Sequence, residues 1–534
     1  MGAHHGHAGA VRPRGIRKHA LDDGSAAVTA LDTDFAAFRQ TWEAGKPQVL
    51  ATRLVADLET PVSALLKLKP GAQHIFLLES VEGGAVRGRY SLIGLNPDVV
   101  WKVEGGRAYL NRRALEDVTG PFEEDARPPL ESLRALLEES RIDLPAGLPP
   151  MAAGIFGYMG YDMVRFMERL PDENPDELGL PEALMIRPTV MVIFDSVADE
   201  MLLVTPVWPQ PGLSADEAYT RAQERLKEII AKLSGPIDPA LLQETTEDIT
   251  LPEPVSNTPP ERYMQMVERA KEYIRAGDIF QVVLSQRFSA DFPLSPLALY
   301  RALRRTNPSP YLYYLDYGDF AIAGSSPEIL VRVRDGKVTI RPIAGTRRRG
   351  RTPQEDKALE EELLSDPKEL AEHLMLLDLG RNDVGRVAEI GSVEVTEKFV
   401  IERYSQVMHI VSNVQGRLRK DADALDALIA GFPAGTVSGA PKVRAMEIID
   451  ELELSRRGIY AGCVGYFSAA GEMDTAIVLR TAIVKDGRMY VQAGAGIVAD
   501  SVPRLEQKEC ENKARALFRA AEEAARFAGG RKGS

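Results

Sequence analysis

"AIVLRTAIVKDGRMYVQAGAG" (residues 476–496) is a β-rich run, an Asp-Gly pair, and a returning run that ends in glycines. Asp-Gly between two such runs is a strong hairpin signal, because both turn positions need a left-handed backbone that Asp tolerates and Gly adopts freely. An earlier stretch, "ILVRVRDGKVTIRPIAGT" (329–346), repeats the pattern. Long antiparallel hairpins interspersed with helices predict an α+β fold built on antiparallel sheets. A doubly wound parallel sheet fits poorly, because parallel strands need long crossovers rather than tight turns.

Working outward, "IFQVVLSQRF" (279–288) reads as a buried strand. The helix before it should open with Thr258 as N-cap, Pro259 at the first helical position and Glu261 in a capping box, and close at Gly277. Upstream lies the acidic, Pro-rich "SGPIDPALLQETTEDITLPEPVSNTPP" (234–260). Its composition suits a linker over residues 234–257. The expected organisation is a tail (1–25), an N-terminal portion (26–233), that linker, a C-terminal portion (258–525) and a second tail (526–534).

The 534 residues carry 65 basic and 78 acidic side chains, a net charge of -13. Such a chain is a poor general ligand for nucleic acid or an anionic membrane. No run reaches the roughly 18 apolar residues of a membrane span, and the first twenty residues lack the apolar core of a secretion signal. A cytoplasmic protein is expected. Two cysteines, Cys463 and Cys510, fit a reduced compartment. His4, His5 and His7 are expected in a disordered tail.

"KELAEHLMLLDLGRND" (368–383) sets Glu369 and Glu372 three residues apart, on one helical face. "RLEQKECENKARALF" (504–518) does the same with Glu506 and Glu509. One such pair is ordinarily a solvated face. Two pairs, in helices with apolar stripes (Leu370, Leu374, Leu377; Leu505, Ala516, Leu517), suit Mg²⁺, a hard cation that takes one or two protein carboxylates and leaves other positions to water and substrate. Gly345, Gly494 and Gly496 end strands, where a missing side chain lets a ligand approach backbone N–H groups. In "GFPAGTVSGAPKVRAMEII" (431–449) Ser438 is a candidate N-cap and Lys442 falls in the first helical turn, a place that attracts anions. Arg480 interrupts an apolar strand and would be costly inside without an anionic partner. His409 shares a strand face with Val407 and Val411.

Together with "LLES" (77–80), "GRYSLIG" (88–94), "PSPYLYYL" (308–315), "SSPEILVRV" (325–333), "RPIAGTRRRG" (341–350), "RGIYAGCVGYF" (457–467) and "VQAGAGIVADSVP" (491–503), these motifs give a chain that resembles the anthranilate synthase component I family, large subunits among the chorismate-utilising enzymes, over about residues 45–520. The resemblance implies a β-sandwich with outer helices, a regulatory N-terminal portion and a catalytic C-terminal one. The activity it implies is that of a Mg²⁺-dependent carbon–oxygen lyase, which aminates chorismate at C2 with ammonia, expels the 4-hydroxyl and eliminates pyruvate to leave anthranilate. Carried over residue by residue, it places the metal on Glu372 and Glu509, with Glu369 and Glu506 nearby. Chorismate contacts fall on Gly345, Thr346, Tyr460, Arg480, Gly494, Ala495 and Gly496, and His409 and Thr436 stand beside the reacting ring. A tryptophan pocket falls on Ser80, Pro310, Tyr311 and Leu312, which implies feedback inhibition by L-tryptophan.

Two positions narrow the reading within this family. Relatives that add water to chorismate carry a lysine base where this chain has Gln281, and relatives that make aminodeoxychorismate commonly carry a nucleophilic lysine where it has Ala344. Free ammonia is therefore the expected nucleophile. Neither Cys463 nor Cys510 sits in the Gly-rich elbow of an amidotransferase, so a separate glutamine amidotransferase subunit is expected, in a heterotetramer. The alternatives are component I of aminodeoxychorismate synthase and a non-catalytic sensor of aromatic metabolites.

Overall fold

The computed structural model describes residues 34–82, 86–242, 249–404 and 407–528; the expected 1–25 tail, with His4, His5 and His7, lies outside the described residues. Both Asp-Gly turns form. Asp335 and Gly336 have φ of 50° and 69°, and Asp486 and Gly487 have 51° and 71°, consecutive positive values that match the twist of the flanking strands. They join Ile329–Arg334 to Lys337–Ile340 and Thr481–Lys485 to Arg488–Ile497, with Arg334 opposite Lys337 and Lys485 opposite Arg488.

These hairpins belong to two antiparallel sheets. In the first, the strands run in the order Gln48–Val55, Glu200–Val207, Ala183–Asp195, Val86–Glu104, Ile75–Glu82, Tyr311–Asp316, Phe320–Ser326, Thr481–Lys485, Arg488–Ile497, Gln281–Asp291. The second runs from Gly154–Met159 through Cys463–Ser468, Met473–Ile477, Ile329–Arg334 and Lys337–Ile340 to Val407–Arg417. Val407–Arg417 carries Ile343–Arg348 on one edge and Glu394–Arg403 on the other. Ala183–Asp195 links the sheets, pairing with Gly154–Met159 near its start and Glu200–Val207 near its end. Strands from before residue 234 and after residue 257 thus lie side by side in both sheets.

The inner faces meet in an apolar layer. Phe76 of the first sheet stacks on Phe156 of the second at 4.9 Å, and Phe156 meets Tyr466 at 5.5 Å. Each such ring contributes roughly 1.5–3 kcal/mol by leaving water. Helices cover the outside. Pro260–Ala276, Pro296–Thr306 and Pro503–Ala528 pack Tyr263, Tyr300 and Leu517 into a core shared with Leu284, Ala323 and Ala495. The architecture is the expected α+β sandwich.

Three local expectations are corrected. The helix Pro260–Ala276 has Pro259 at its N-cap, and the Thr258 hydroxyl donates to Asn257 instead of capping; Gly277 does close the helix, at φ 84°. Lys442–Leu452 is likewise capped by Pro441, while Ser438 donates to the Ala434 carbonyl. The run 476–485 is not one strand: Met473–Ile477 ends, and Arg480 occupies the break at φ 46° before Thr481–Lys485 begins.

Candidate active site

Helix Pro367–Gly385 starts at Asp366, whose carboxylate accepts from the N–H groups of Lys368 and Glu369. This cap sets the helix phase that turns Glu369 and Glu372 to one side, both half-buried. Arg347 donates to Glu369 at 2.9 Å and also to Asp366 and Glu362. Among the described residues Glu372 receives only the Gln281 amide, at 3.2 Å. Burial pushes the Glu372 carboxyl up, and Glu369 and Glu509 push it further. Glu506 is pushed up by burial and, more weakly, by Glu509. The two helices therefore do present their carboxylates to each other.

Lys513 ties this acidic face to the glycine strand. It pairs with Glu509 at 2.7 Å and donates to the Gly494 carbonyl at 2.8 Å. The glycines are close approaches: a Cβ on Gly496 would lie 2.4 Å from Gln281 Nε2, one on Gly494 2.9 Å from the Tyr460 hydroxyl, and one on Gly345 3.3 Å from Glu369 Oε2. Gly345, at φ 82°, sits at a bulge between Ala344 and Thr346. Ala495, between the two strand glycines, is buried and lies opposite Leu284.

From the bulge the site continues sideways. Thr346 shares a 2.9 Å hydrogen bond with His409 Nδ1. Burial, reinforced by the Arg480 charge, lowers the His409 pKa to about 4, so the ring is neutral at pH 7. Arg480 has no side-chain hydrogen bond or ion pair among the described residues, and its pKa is lowered by burial. The groups thus run Arg480, His409, Thr346, Gly345, Glu369: a cation with no side-chain partner among the described residues at one end and a surplus of carboxylates at the other.

Sequence reasoning missed Glu328. Its carboxyl is buried, accepts from the Thr436 hydroxyl at 3.1 and 3.2 Å, and is raised by burial to about 8. The signal was an acid placed directly before the apolar strand Ile329–Arg334. Tyr404 was also missed; its ring lies edge-on to His409 at 5.5 Å, and it is electrostatically coupled to Arg480 and Glu328. Tyr460 is held from below by Arg457, whose guanidinium lies 5.5 Å from its ring. Arg457 is itself locked to Glu453 and to the carbonyls of Val283 and Val437. Lys442 does not face an open anion site; it pairs with Asp383 at 2.9 Å. The expected apolar stripes are interrupted, since Leu374 and Leu505 are exposed.

A second concavity lies between the sheets. Ser80 is the direct cross-strand neighbour of Tyr311, and Leu312 of Glu79. With Pro310 they line a cleft of about 1440 Å³ that also reaches Ile343 and Tyr404, beside His409. The Ser80 hydroxyl donates to the Tyr90 carbonyl at 3.1 Å, while the Tyr311 hydroxyl accepts from Arg332 at 2.9 Å.

Among the described residues no three or more His, Cys, Asp or Glu side chains close into a metal cage, and no helix is long and apolar enough to cross a membrane. Both thiols are buried, and burial pushes each up to about 12.

Comparison with known proteins matches residues 85–519 to a family described as chorismate binding enzyme. The anthranilate synthase component 1 of Cereibacter sphaeroides is 58% identical over 496 residues, spanning 93% of this chain and 99% of its own. The Pseudomonas putida protein of the same name is 51% identical over 475 residues, spanning 88% and 94%. The crystal structure of anthranilate synthase component I from Streptococcus pneumoniae superposes with a TM-score of 0.70 at 41% identity, covering 80% of this chain and 92% of that one.

Proposed function

We propose a function from one premise: the chain belongs to the anthranilate synthase component 1 family of chorismate-binding enzymes. It is an enzyme acting on chorismate. In the finer reading it is the large subunit of an anthranilate synthase, a carbon–oxygen lyase that uses ammonia supplied by a separate glutamine amidotransferase subunit. The observation that carries this reading is Arg480, a half-buried guanidinium without a protein anion among the described residues, joined by His409, Thr346 and Gly345 to a carboxylate-rich wall. Chorismate is a dicarboxylate, so one carboxylate suits Arg480 and the N–H groups around Gly345, while the other needs a cation to approach the glutamates.

The donor set fits Mg²⁺. Glu372 is a half-buried carboxyl repelled by its neighbours and bonded only to an amide, and Glu509 stands opposite. These two would hold the ion, with Glu369 and Glu506 nearby. When bound, the ion would neutralise a substrate carboxylate and stabilise developing negative charge. Glu328, protonated at neutral pH, can donate its proton to the departing 4-oxygen while Thr436 orients it. Gln281 Oε1 is buried and has no donor among the described residues, so it can accept a hydrogen bond from ammonia near C2. Neutral His409 can take the C2 proton as pyruvate leaves. Tyr460 and the glycine strand 494–496 hold the ring.

Regulation belongs to the second concavity. Its lining by Ser80, Pro310, Tyr311 and Leu312 supports a tryptophan-binding cleft, and its extension to Ile343 and Tyr404 supports coupling to catalysis. The test is direct. The purified chain, given chorismate, Mg²⁺ and ammonium, is expected to release fluorescent anthranilate, to ignore glutamine until an amidotransferase subunit is added, and to be inhibited by L-tryptophan. Accumulation of 4-amino-4-deoxychorismate would instead assign it to the aminodeoxychorismate branch. Failure to turn over chorismate would remove the catalytic reading.

A further inference from the structure

Beside Glu328 lies a cavity of about 30 Å³ that neither His409 nor Arg480 lines. Glu328, Ile340, Gly380, Asp383 and Thr436 are among the residues that line it. It is large enough for one water molecule, which needs roughly 10–15 Å³ and two to four polar partners. The polar partners are at hand: the Glu328 carboxyl, the Thr436 hydroxyl and the Asp383 carboxyl. Asp383 is 4% exposed and lies 2.9 Å from the Lys442 ammonium, which also reaches the Gly431 carbonyl. The Lys442 side chain retains 11% exposure.

We propose that Asp383 and Lys442, through a water in this cavity, return the proton that Glu328 spends in each turnover. The proposal rests on Glu328 acting as the acid. When the C4–O bond breaks, the Glu328 O–H bond breaks with it and its proton leaves in the product water. The resulting carboxylate is buried, with Thr436 and the Ile343 N–H as its donors. The Lys442 ammonium passes a proton to the Asp383 carboxylate, which passes one to the cavity water as that water protonates Glu328; solvent then reprotonates the amine. Atoms and charge balance at each transfer, and no other reactant is needed. Of the charged groups around the path, Lys442 and Arg386 face Asp383, and Tyr404 is coupled to Glu328.

This geometry separates two kinetic parameters. Expulsion of the 4-oxygen uses a proton already in place, so it governs kcat/KM, whereas recharging comes afterwards and limits only kcat. Asp383→Asn keeps the shape but cannot relay. Gly380→Ala is a second, independent block: its Cβ would lie at ordinary contact, 3.5 Å from Ile340 and 3.8 Å from Val414, and would fill part of the cavity. It also favours the helix by about 1 kcal/mol, so its melting temperature should hold or rise.

For both variants kcat should fall by about 100-fold, the lower end of what a positioned acid contributes, with kcat/KM for chorismate unchanged and kcat partly restored by raising the concentration of a small buffer acid. Unchanged kcat in Gly380→Ala, or equal losses in kcat and kcat/KM without buffer rescue in both variants, overturns the route. Glu328→Gln, run in parallel, isolates the premise: if it keeps wild-type kcat/KM, Glu328 is not the acid, whatever the other two variants do.

Discussion

At the scale of the single residue, Glu328 shows how burial writes a function that composition does not. Its carboxyl has an ordinary value of 4.5 and a folded value of about 8. As an acid it must be protonated, so kcat/KM for chorismate, measured at constant free ammonia, should fall as pH rises through about 8, and Glu328→Gln should lose about 10²- to 10⁴-fold in rate. Stability runs the same way. Between 4.5 and about 8 the unfolded chain ionises this group and the folded one does not, so stability drains as pH rises across that window. Glu328→Gln, neutral throughout, should therefore melt above wild type at pH 9; a lower melting temperature there would contradict the assignment. His409, lowered to about 4, should contribute no limb near its ordinary pH of 6.5. Glu372→Gln should weaken Mg²⁺ binding in calorimetry, by at least the 10- to 100-fold that even outer-shell losses commonly cost; unchanged affinity would move the metal elsewhere. The glutamate pairs could be read from spacing alone, because i and i+3 share a helical face. Glu328, Tyr404 and Arg347 could not, since each acquires its role from neighbours on other strands and helices.

At the scale of the element, the glycine strand Arg488–Ile497 carries a graded test. Gly496→Ala meets the flexible end of Gln281, which can swing aside, so the protein should fold but lose the Gln281–Glu372 hydrogen bond and part of its activity. Gly494→Ala meets the Leu284 carbonyl and the Tyr460 hydroxyl, atoms with little freedom, and should cost more in both melting temperature and rate; the reverse order would mean the strand is not the ring-bearing wall. In the cleft, Ser80 stands opposite Tyr311 and hard against Gly88. Ser80→Phe can only turn its ring into the cleft, so the variant should turn over chorismate while resisting L-tryptophan. Titration calorimetry showing tryptophan binding as tight as in wild type would place the inhibitor elsewhere. The hairpins were legible because Asp-Gly states its own backbone geometry. The caps were not: Thr258 and Ser438 found better partners in Asn257 and the Ala434 carbonyl. The break at Arg480 was not legible, because the β-rich run resumes directly after that one charge.

At the scale of the whole molecule, the cleft between the sheets reaches from Ser80 to Tyr404, while the sheets themselves mix early and late strands. A ligand that seats against Ile75–Glu82 and Tyr311–Asp316 acts on two paired strands at the floor of a cleft that extends to Tyr404. Linkage then requires reciprocity: tryptophan should weaken chorismate binding by the factor by which chorismate weakens tryptophan binding. Paired equilibrium titrations in which neither ligand changes the other's affinity would exclude the coupling. The shuffling of strands also fixes the order of events at birth. Residues 75–82 leave the ribosome with one hydrogen-bonding edge that only residues 311–316 will cover, and synthesis at ~5–20 residues per second keeps that edge bare for some ten seconds to most of a minute. Bare edges recruit other strands. The nascent chain should thus depend on a holding chaperone for longer than its length alone demands, and a translation pause between these two strands would be felt as aggregation rather than as lost activity.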